Sequence, residues 1–212
     1  MGENLQSLGS AEGKSYEIGL KKSFANNVLA SLAFFRTQQS NLQEFKERTD
    51  GDGIDDDDYS DDFTYAIYRG INVESEGVEL EISGYISDEV KVQAGITHLD
   101  MKDPDGNDAR TFIPRNTVKL LATWNPSTLS KLKFGMSARW QDDIYFVSSF
   151  GRISQESYVV LGSYASYDIT DNISLELNID NLTDEKYFSS VKYEQAWYAA
   201  PRNYNLSANW RF

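Results

Sequence analysis

The chain has 212 residues, 40% hydrophobic and 13% aromatic, with a formal net charge of −13 and no cysteine. The acidic balance excludes a nucleic-acid partner, which needs a basic footprint, and the lack of cysteine excludes disulfides, thiolate metal sites and a cysteine nucleophile. No run approaches the ~20 apolar residues of a membrane helix, yet strands that alternate lipid-facing and lumen-facing side chains would average to the same negative mean hydropathy.

Met1 to Lys14 carries neither a basic nor an apolar leader region, so no signal peptide is expected there, and an exported protein with this beginning is expected to be a fragment of a longer precursor. A two-residue period then recurs between turn signals. Tyr16, Ile18 and Leu20 alternate with Glu17, Gly19 and Lys21, and after a turn at 25–27 Val28, Ala30, Leu32 and Phe34 carry one face of a strand to about Gln38. A polar stretch over 39–65 is expected to be a long loop. Val78, Leu80, Ile82 and Ile86 oppose Glu79, Glu81, Ser83 and Tyr85, the chain turns at 87–89, and Val90, Val92, Ala94 and Ile96 return.

Residues 103–113 form a loop with an Asp-Gly turn. Val118, Leu120, Ala122 and Trp124 make the next apolar face, Asn125-Pro126-Ser127 breaks it, and Leu132, Phe134, Met136, Ala138 and Trp140 follow. After a loop at 147–156, a strand spans about Ser157 to Ile169, a tight turn covers 170–172, and Ile173, Leu175, Leu177 and Ile179 oppose Ser174, Glu176, Asn178 and Asp180. A last loop covers 188–201, and Tyr204, Leu206, Ala208, Trp210 and Phe212 alternate with polar residues up to the final position.

The pattern predicts an all-β chain of about nine strands and no helix. Short turns (25–27, 87–89, 125–130, 170–172) and long loops (39–65, 103–113, 147–156, 188–201) alternate. That sorting belongs to a transmembrane antiparallel barrel with periplasmic turns and extracellular loops, and Trp124, Trp140, Tyr145, Tyr167, Trp210 and Phe212 suit interfacial girdles. Bacterial single-chain barrels have an even number of strands, so nine leave two open edges. The chain therefore reads as part of a larger barrel.

Particular segments carry a resemblance. The final strand resembles the C-terminal strand of bacterial outer-membrane barrels, which implies that Tyr204, Leu206, Trp210 and Phe212 form the signal read by the barrel-assembly machinery. Ser15–Lys21, Glu76–Glu81, Gln93–His98, Ile113–Thr117, Asn178–Tyr187 and Ala200-Pro201-Arg202 are similar, in order and spacing, to TonB-dependent receptors and within them to ferric-siderophore receptors. Gln141–Tyr145 with Ile153–Tyr158 looks closest to receptors of the coprogen and pyoverdine type.

The resemblance implies a plugged 22-stranded barrel in the bacterial outer membrane, of which residues 1–212 are the C-terminal part. Plug, signal peptide and TonB box are expected to lie outside these residues. The implied work is ferric-siderophore uptake energised by TonB-ExbB-ExbD through the plug, with no catalysis and no covalent cofactor. A receptor of the same family for haem, cobalamin or a glycan is one alternative. A soluble or adhesive β-rich ligand-binding protein is another.

For a ligand with apolar and polar surface, large rings with hydrogen-bonding tips are the expected lining. Tyr145, Phe146, Tyr193, Trp197 and Tyr198 lie in or beside the loops at 147–156 and 188–201, against a plainer role in loop packing. Asp50, Asp52 and Asp55 open a run of eight Asp in thirteen residues that resembles a Ca²⁺ loop, although no Glu closes it, and a solvated, self-repelling loop is the plainer reading. His98, the only histidine, is expected to be structural, Glu79 and Glu81 are expected to be lumen-facing charges, and the glycosylation pattern at Asn181-Leu182-Thr183 is taken as chance.

Overall fold

A computed structural model describes residues 8–24, 27–49, 65–148, 151–192 and 195–212. Thirteen strands carry it: β1 (Glu12–Ser23), β2 (Leu29–Thr49), β3 (Tyr65–Tyr85), β4 (Val90–Lys102), β5 (Asn116–Trp124), β6 (Leu132–Gln141), β7 (Ile144–Ser148), β8 (Gly151–Gln155), β9 (Tyr158–Asp168), β10 (Ile173–Asp180), β11 (Phe188–Lys192), β12 (Gln195–Tyr198) and β13 (Asn203–Trp210). Nine form one sheet in the order β1-β2-β3-β4-β5-β6-β9-β10-β13, while β7-β8 and β11-β12 are separate two-stranded hairpins. The break expected after Trp124 is present and holds a 3-10 turn at Ser127–Leu129.

Register explains why the sequence alternates. Val118 lies opposite Trp140, Leu120 opposite Ala138, Ala122 opposite Met136 and Trp124 opposite Phe134. The same face continues through Leu132 with Tyr167 and Ala138 with Leu161, then Leu177 with Ala165 and with Leu206. Lys119 with Arg139, Glu176 with Ser207 and Asn178 with Asn205 occupy the opposite face. A one-residue slip would move every apolar side chain to the other face, so the two-residue period excludes it.

The apolar face is not covered by protein: Leu20, Leu206 and Trp210 are 77%, 71% and 72% exposed. It spans Val118 to Trp124 on β5 and Leu132 to Trp140 on β6. At ~3.4 Å per residue that is roughly 20 to 30 Å of strand, matching the ~25 Å lipid-facing band of an outer-membrane barrel. Trp124 stacks on Phe134 at 5.8 Å at one end of the band, and Trp210 meets Phe212 edge-on at 6.3 Å. Tyr145 lies on the β7-β8 hairpin, outside the nine-stranded sheet, so it is not part of a girdle on that sheet.

The chain divides into two compact units. One comprises Met1–Glu17, Phe35–Glu76 and Asp100–Arg110, the other Ile18–Phe34, Gly77–Leu99 and Thr111–Phe212. The divisions fall where one face of the sequence changes from Phe34 to Arg36, from Val78 to Glu76 and from Ile96 to Asp100. In the first unit Arg36 bridges Glu74 at 2.7 Å and Glu76 at 3.3 Å, and Gln38 donates to Glu74 at 3.0 Å. Past Asn41 the partners slip by one residue: Glu44 meets Arg69 at 2.7 Å and Phe45 meets Tyr68 at 6.0 Å. Asn41 has φ 56°, a left-handed conformation that Asn tolerates, and its amide N–H donates to Asn72 Oδ1. This is a β-bulge, absorbing one extra residue in β2.

Three expectations about loops are corrected here. The stretch 39–65 is not one long loop, because β2 runs on to Thr49 and β3 begins at Tyr65. The stretches 147–156 and 188–201 contain the hairpins β7-β8 and β11-β12. Apolar alternation reports a buried or lipid-facing face. Where both faces are polar, ladder hydrogen bonds and ion pairs hold the strands and leave no such trace.

Candidate functional site

The short turns are tied by side chains rather than by length. Glu89 accepts from the Ser127 amide at 2.8 Å and from Trp124 Nε1 at 3.1 Å, joining two turns, and the Ser127 donors lead in holding its carboxyl below the usual range. At the other strand ends the motifs noticed in the sequence clasp one another. Asp142 accepts from the amides of Arg115 and Asn116 at 2.9 Å each and from Asn116 Nδ2 at 2.7 Å, while Asn116 Oδ1 meets His98 Nδ1 at 2.8 Å. The lone histidine belongs to this clasp.

Asn181 repeats the theme. It is 4% exposed with φ 51°, its Nδ2 donates to the carbonyls of Glu185 (2.9 Å) and Ala200 (3.3 Å), and its Oδ1 accepts the Glu185 amide at 2.8 Å. Asp184 accepts the Arg202 amide at 2.9 Å, and the Arg202 guanidinium donates to Leu182 C=O. The segment Asn181–Glu185 and the Pro201-Arg202 corner are therefore one joint. With its amide committed on both sides, Asn181 is not a sugar acceptor.

Above this joint the two hairpins pack together, β11 lying against both β7 and β8. Ile144 of β7 and Val191 of β11 are buried, as are Tyr158 and Tyr187. Tyr158 stacks on Tyr187 at 4.1 Å, Tyr158 Oη donates to Gln141, and Arg139 donates to Tyr187 Oη at 3.0 Å. The Phe188 amide donates to Gln155 Oε1 at 2.7 Å, stitching the second hairpin to the first. Thr111 pairs with Tyr145 through both backbone and hydroxyl, which draws the segment after Arg110 onto β7.

Four of the five aromatic candidates lie on these two hairpins, each with its own partner. Phe146 packs on Phe112 at 6.3 Å, and the Lys192 ammonium stands 5.3 Å from the Phe112 ring. The Arg152 guanidinium lies 3.8 Å from the Tyr145 ring. Tyr198, 73% exposed, packs on Phe188 at 4.6 Å, and Trp197 is 54% exposed with its carbonyl held by Ser189. Tyr193 and the Ca²⁺ candidates Asp50, Asp52 and Asp55 lie outside the described residues. Among the described residues, no three carboxylates or imidazoles group as metal ligands.

Phe112, Arg152, Phe188 and Lys192 are additions that the sequence reading missed. Arg152 reaches Tyr145 across the hairpin, because Val147 pairs with Arg152 and Tyr145 with Ser154. Once β7 and β8 are paired, that diagonal follows from the pleat. No local pattern gives Phe112, which arrives from a separate loop.

Tyr145 and Phe146 alternate along β7 and Trp197 and Tyr198 along β12, so rings lie on both faces of the hairpins, with Arg152 over Tyr145 and Lys192 near Phe112.

A family profile described as TonB dependent receptor-like, beta-barrel, matches residues 4–182. The chain is 33% identical to the ferripyoverdine receptor of Pseudomonas aeruginosa over 95% of its own length and 25% of that protein. It is 27% identical to the ferrioxamine B receptor of Salmonella typhimurium, over 99% of this chain and 30% of that one. The crystal structure of the P. aeruginosa outer-membrane ferripyoverdine receptor bound to ferripyoverdine superimposes with a TM-score of 0.77 at 30% identity, over 99% of this chain and 28% of that one. The chain thus spans about a quarter of the length of the curated relatives it matches first. With a profile that covers most of its residues and a sheet that superimposes on a solved member, the chain belongs to the TonB-dependent receptor β-barrel family.

Proposed function

We propose that this chain forms part of the barrel wall of a bacterial outer-membrane receptor that takes up ferric siderophores, with the β7-β8 and β11-β12 hairpins contributing to the ligand mouth. The observation that carries the reading is the aromatic assembly on paired hairpins, Tyr145, Phe146, Trp197 and Tyr198 with Arg152 and Lys192 at its edge. Ferric chelates carry oxygen-rich, often anionic surface beside apolar rims, and rings with adjacent cations complement both. Tyr193, outside the described residues, joins the proposed set by its place in the sequence alone. Likeness to receptors named for ferripyoverdine and ferrioxamine B supports an iron chelate over haem, cobalamin or a glycan.

In this reading the nine strands are the C-terminal part of a closed, 22-stranded barrel with a plug in its lumen, and the edges of β1 and β13 pair with strands outside residues 1–212. The plug and TonB box also lie outside, and TonB-ExbB-ExbD acts through the plug. The uncovered apolar band faces lipid. Tyr204, Leu206, Trp210 and Phe212, all more than half exposed on or just past β13, are the face offered to the barrel-assembly machinery.

Alanine replacement of Trp197 or Tyr198 in the full-length receptor tests the site. A buried aromatic anchor is worth about 2 kcal/mol, so affinity for a ferric pyoverdine is expected to fall roughly 30-fold. Unchanged affinity across Tyr145, Phe146, Trp197 and Tyr198 would refute it. Growth on ferric pyoverdine but not on haem, gained when a receptor-deleted strain is given the full-length receptor, separates the cargo classes. Recovery of the receptor in the soluble fraction would overturn the barrel.

A further inference from the structure

Two cations oppose one another on the polar face of the wall. Lys119 of β5 lies directly across from Arg139 of β6. The β-carbons of opposed residues stand ~5 Å apart, and like charges so placed destabilise a sheet. Register shows that no neighbouring strand relieves them. Gly95 of β4 flanks Lys119 on its other side, and Val160 of β9 flanks Arg139. The same-face neighbours along their own strands, Thr117, Leu121, Ser137 and Gln141, are uncharged, and the diagonal positions 93, 97, 158 and 162 hold no acid. Among the described residues neither cation has an ion pair. A chain with a net charge of −13 has carboxylates to spare, yet none is placed here. All these residues belong to the unit of Ile18–Phe34, Gly77–Leu99 and Thr111–Phe212.

The pair is joined to the hairpins. Arg139 donates to Tyr187 Oη at 3.0 Å, Tyr187 stacks on Tyr158 at 4.1 Å, and Tyr187 immediately precedes β11. Arg139 is thereby steadied at the root of the β11-β12 hairpin, while Lys119 is exposed. Beside Lys119, the position a β-carbon of Gly95 would take has nothing within 4 Å, so the ammonium borders open space. Leu121 and Val160 add half-buried aliphatic surface on a face that is otherwise polar. A cationic or neutral occupant would leave the two charges opposed. A carboxylate between them replaces one repulsion with two attractions, and its fit to guanidinium and ammonium donors is the strong, charge-assisted kind.

We propose that Lys119 and Arg139 select for charge in the cargo, seating a peripheral carboxylate of an anionic ferric chelate. The proposal names the charge class of the cargo and rests on the siderophore-receptor reading, in which the polar face lines the lumen reached from the hairpins.

The test uses the full-length receptor in detergent and two probes: a ferric pyoverdine with a free acyl carboxylate, and the same chelate with that carboxylate as an amide. Calorimetric titration compares the wild type with Lys119→Gln, Lys119→Arg and Trp197→Ala, after heat-modifiable migration has verified folding. One lost charge-assisted contact corresponds to roughly tenfold in affinity. The wild type should therefore bind the carboxylate form roughly tenfold more tightly than the amide form. K119Q should bind the two forms alike, at the wild type's affinity for the amide, and K119R should keep the preference. Without chelate, K119Q should unfold at higher urea than the wild type, because a repulsion has gone.

Wild-type preference for the carboxylate form in K119Q overturns the proposal, as does equal weakening of both forms. Loss of the preference in K119R as well shows that side-chain shape, not charge, matters, and also overturns it. A lower urea midpoint for ligand-free K119Q, with both forms weakened together, shows that the receptor itself supplies the counter-carboxylate, and the proposal falls. The two readings fail separately. Weakened binding in W197A beside unchanged binding in K119Q removes only this inference. No binding of either chelate by the folded wild type removes the ferric-siderophore reading, and this inference with it.

Discussion

Replacing Asn181 by alanine removes a joint that the molecule builds from one side chain. Three hydrogen bonds are lost, to Glu185 C=O, Ala200 C=O and the Glu185 amide, in a residue that is 4% exposed. At about 1 kcal/mol net for each bond, their removal costs about 3 kcal/mol. The backbone adds to this, since φ 51° is a left-handed value that costs an alanine roughly 1–2 kcal/mol. The expected loss for Asn181→Ala is therefore about 4–5 kcal/mol. Asn181→Gly keeps the backbone freedom and loses only the bonds, so it should come out about 1 kcal/mol or more milder. Asn181→Asp keeps the acceptor for the Glu185 amide but turns two carboxylate lone pairs toward carbonyls, and should be no better than alanine. Urea unfolding of the full-length receptor in detergent, followed by tryptophan fluorescence, measures the series. A cost below about 1 kcal/mol for alanine would show that the bonds do not hold this corner, and glycine as costly as alanine would show that its backbone geometry does not.

Two further outcomes follow from contacts elsewhere. Gly135 lies opposite Tyr164, whose ring occupies the space a β-carbon would need. Gly135→Ala should displace that ring and cost roughly 1–3 kcal/mol, as overpacking does, while adding Tyr164→Ala should recover part of the loss. Additive costs in the double-mutant cycle would refute the contact. Glu89 has its carboxyl held down by the Ser127 and Trp124 donors, so the folded value lies below the unfolded one. Its contribution is full above the unfolded carboxylate range and is lost as pH falls through the folded value. Protection of the Ser127 amide from hydrogen exchange, corrected for intrinsic rates, should fall on acidification in the wild type and stay low and flat in Glu89→Gln. Equal profiles would dismiss the tie.

What binds the site together differs in kind from what holds the sheet. Pairing and alternation make the wall repetitive, and many positions in it tolerate any residue of the right polarity. The hairpins depend instead on particular contacts: Phe188 N–H on Gln155, Lys192 near Phe112, Tyr187 on Tyr158. In the proposed reading, these short hairpin segments are where cargo selection would vary without changing the register of the strands.

The sequence by itself determined the all-β class, the sheet strands that carry the apolar band and the short turns, because each rests on a two-residue period or on local turn chemistry. It also marked the segments around Asn116, Asn181 and Arg202 as special, without saying why. Only the tertiary structure decided that these segments are clasps: His98, Asn116 and Asp142 meet across three strands, and Asn181 reaches Ala200 across the 188–201 segment. Tertiary pairing alone extended β2 and β3 through residues that carry no apolar stripe, since backbone ladders form equally well between polar side chains. It also turned two expected loops into hairpins and placed Arg152, Lys192 and Phe112 beside the aromatics. Proximity between distant loops is set by how the wall folds them back, and no local spacing encodes it.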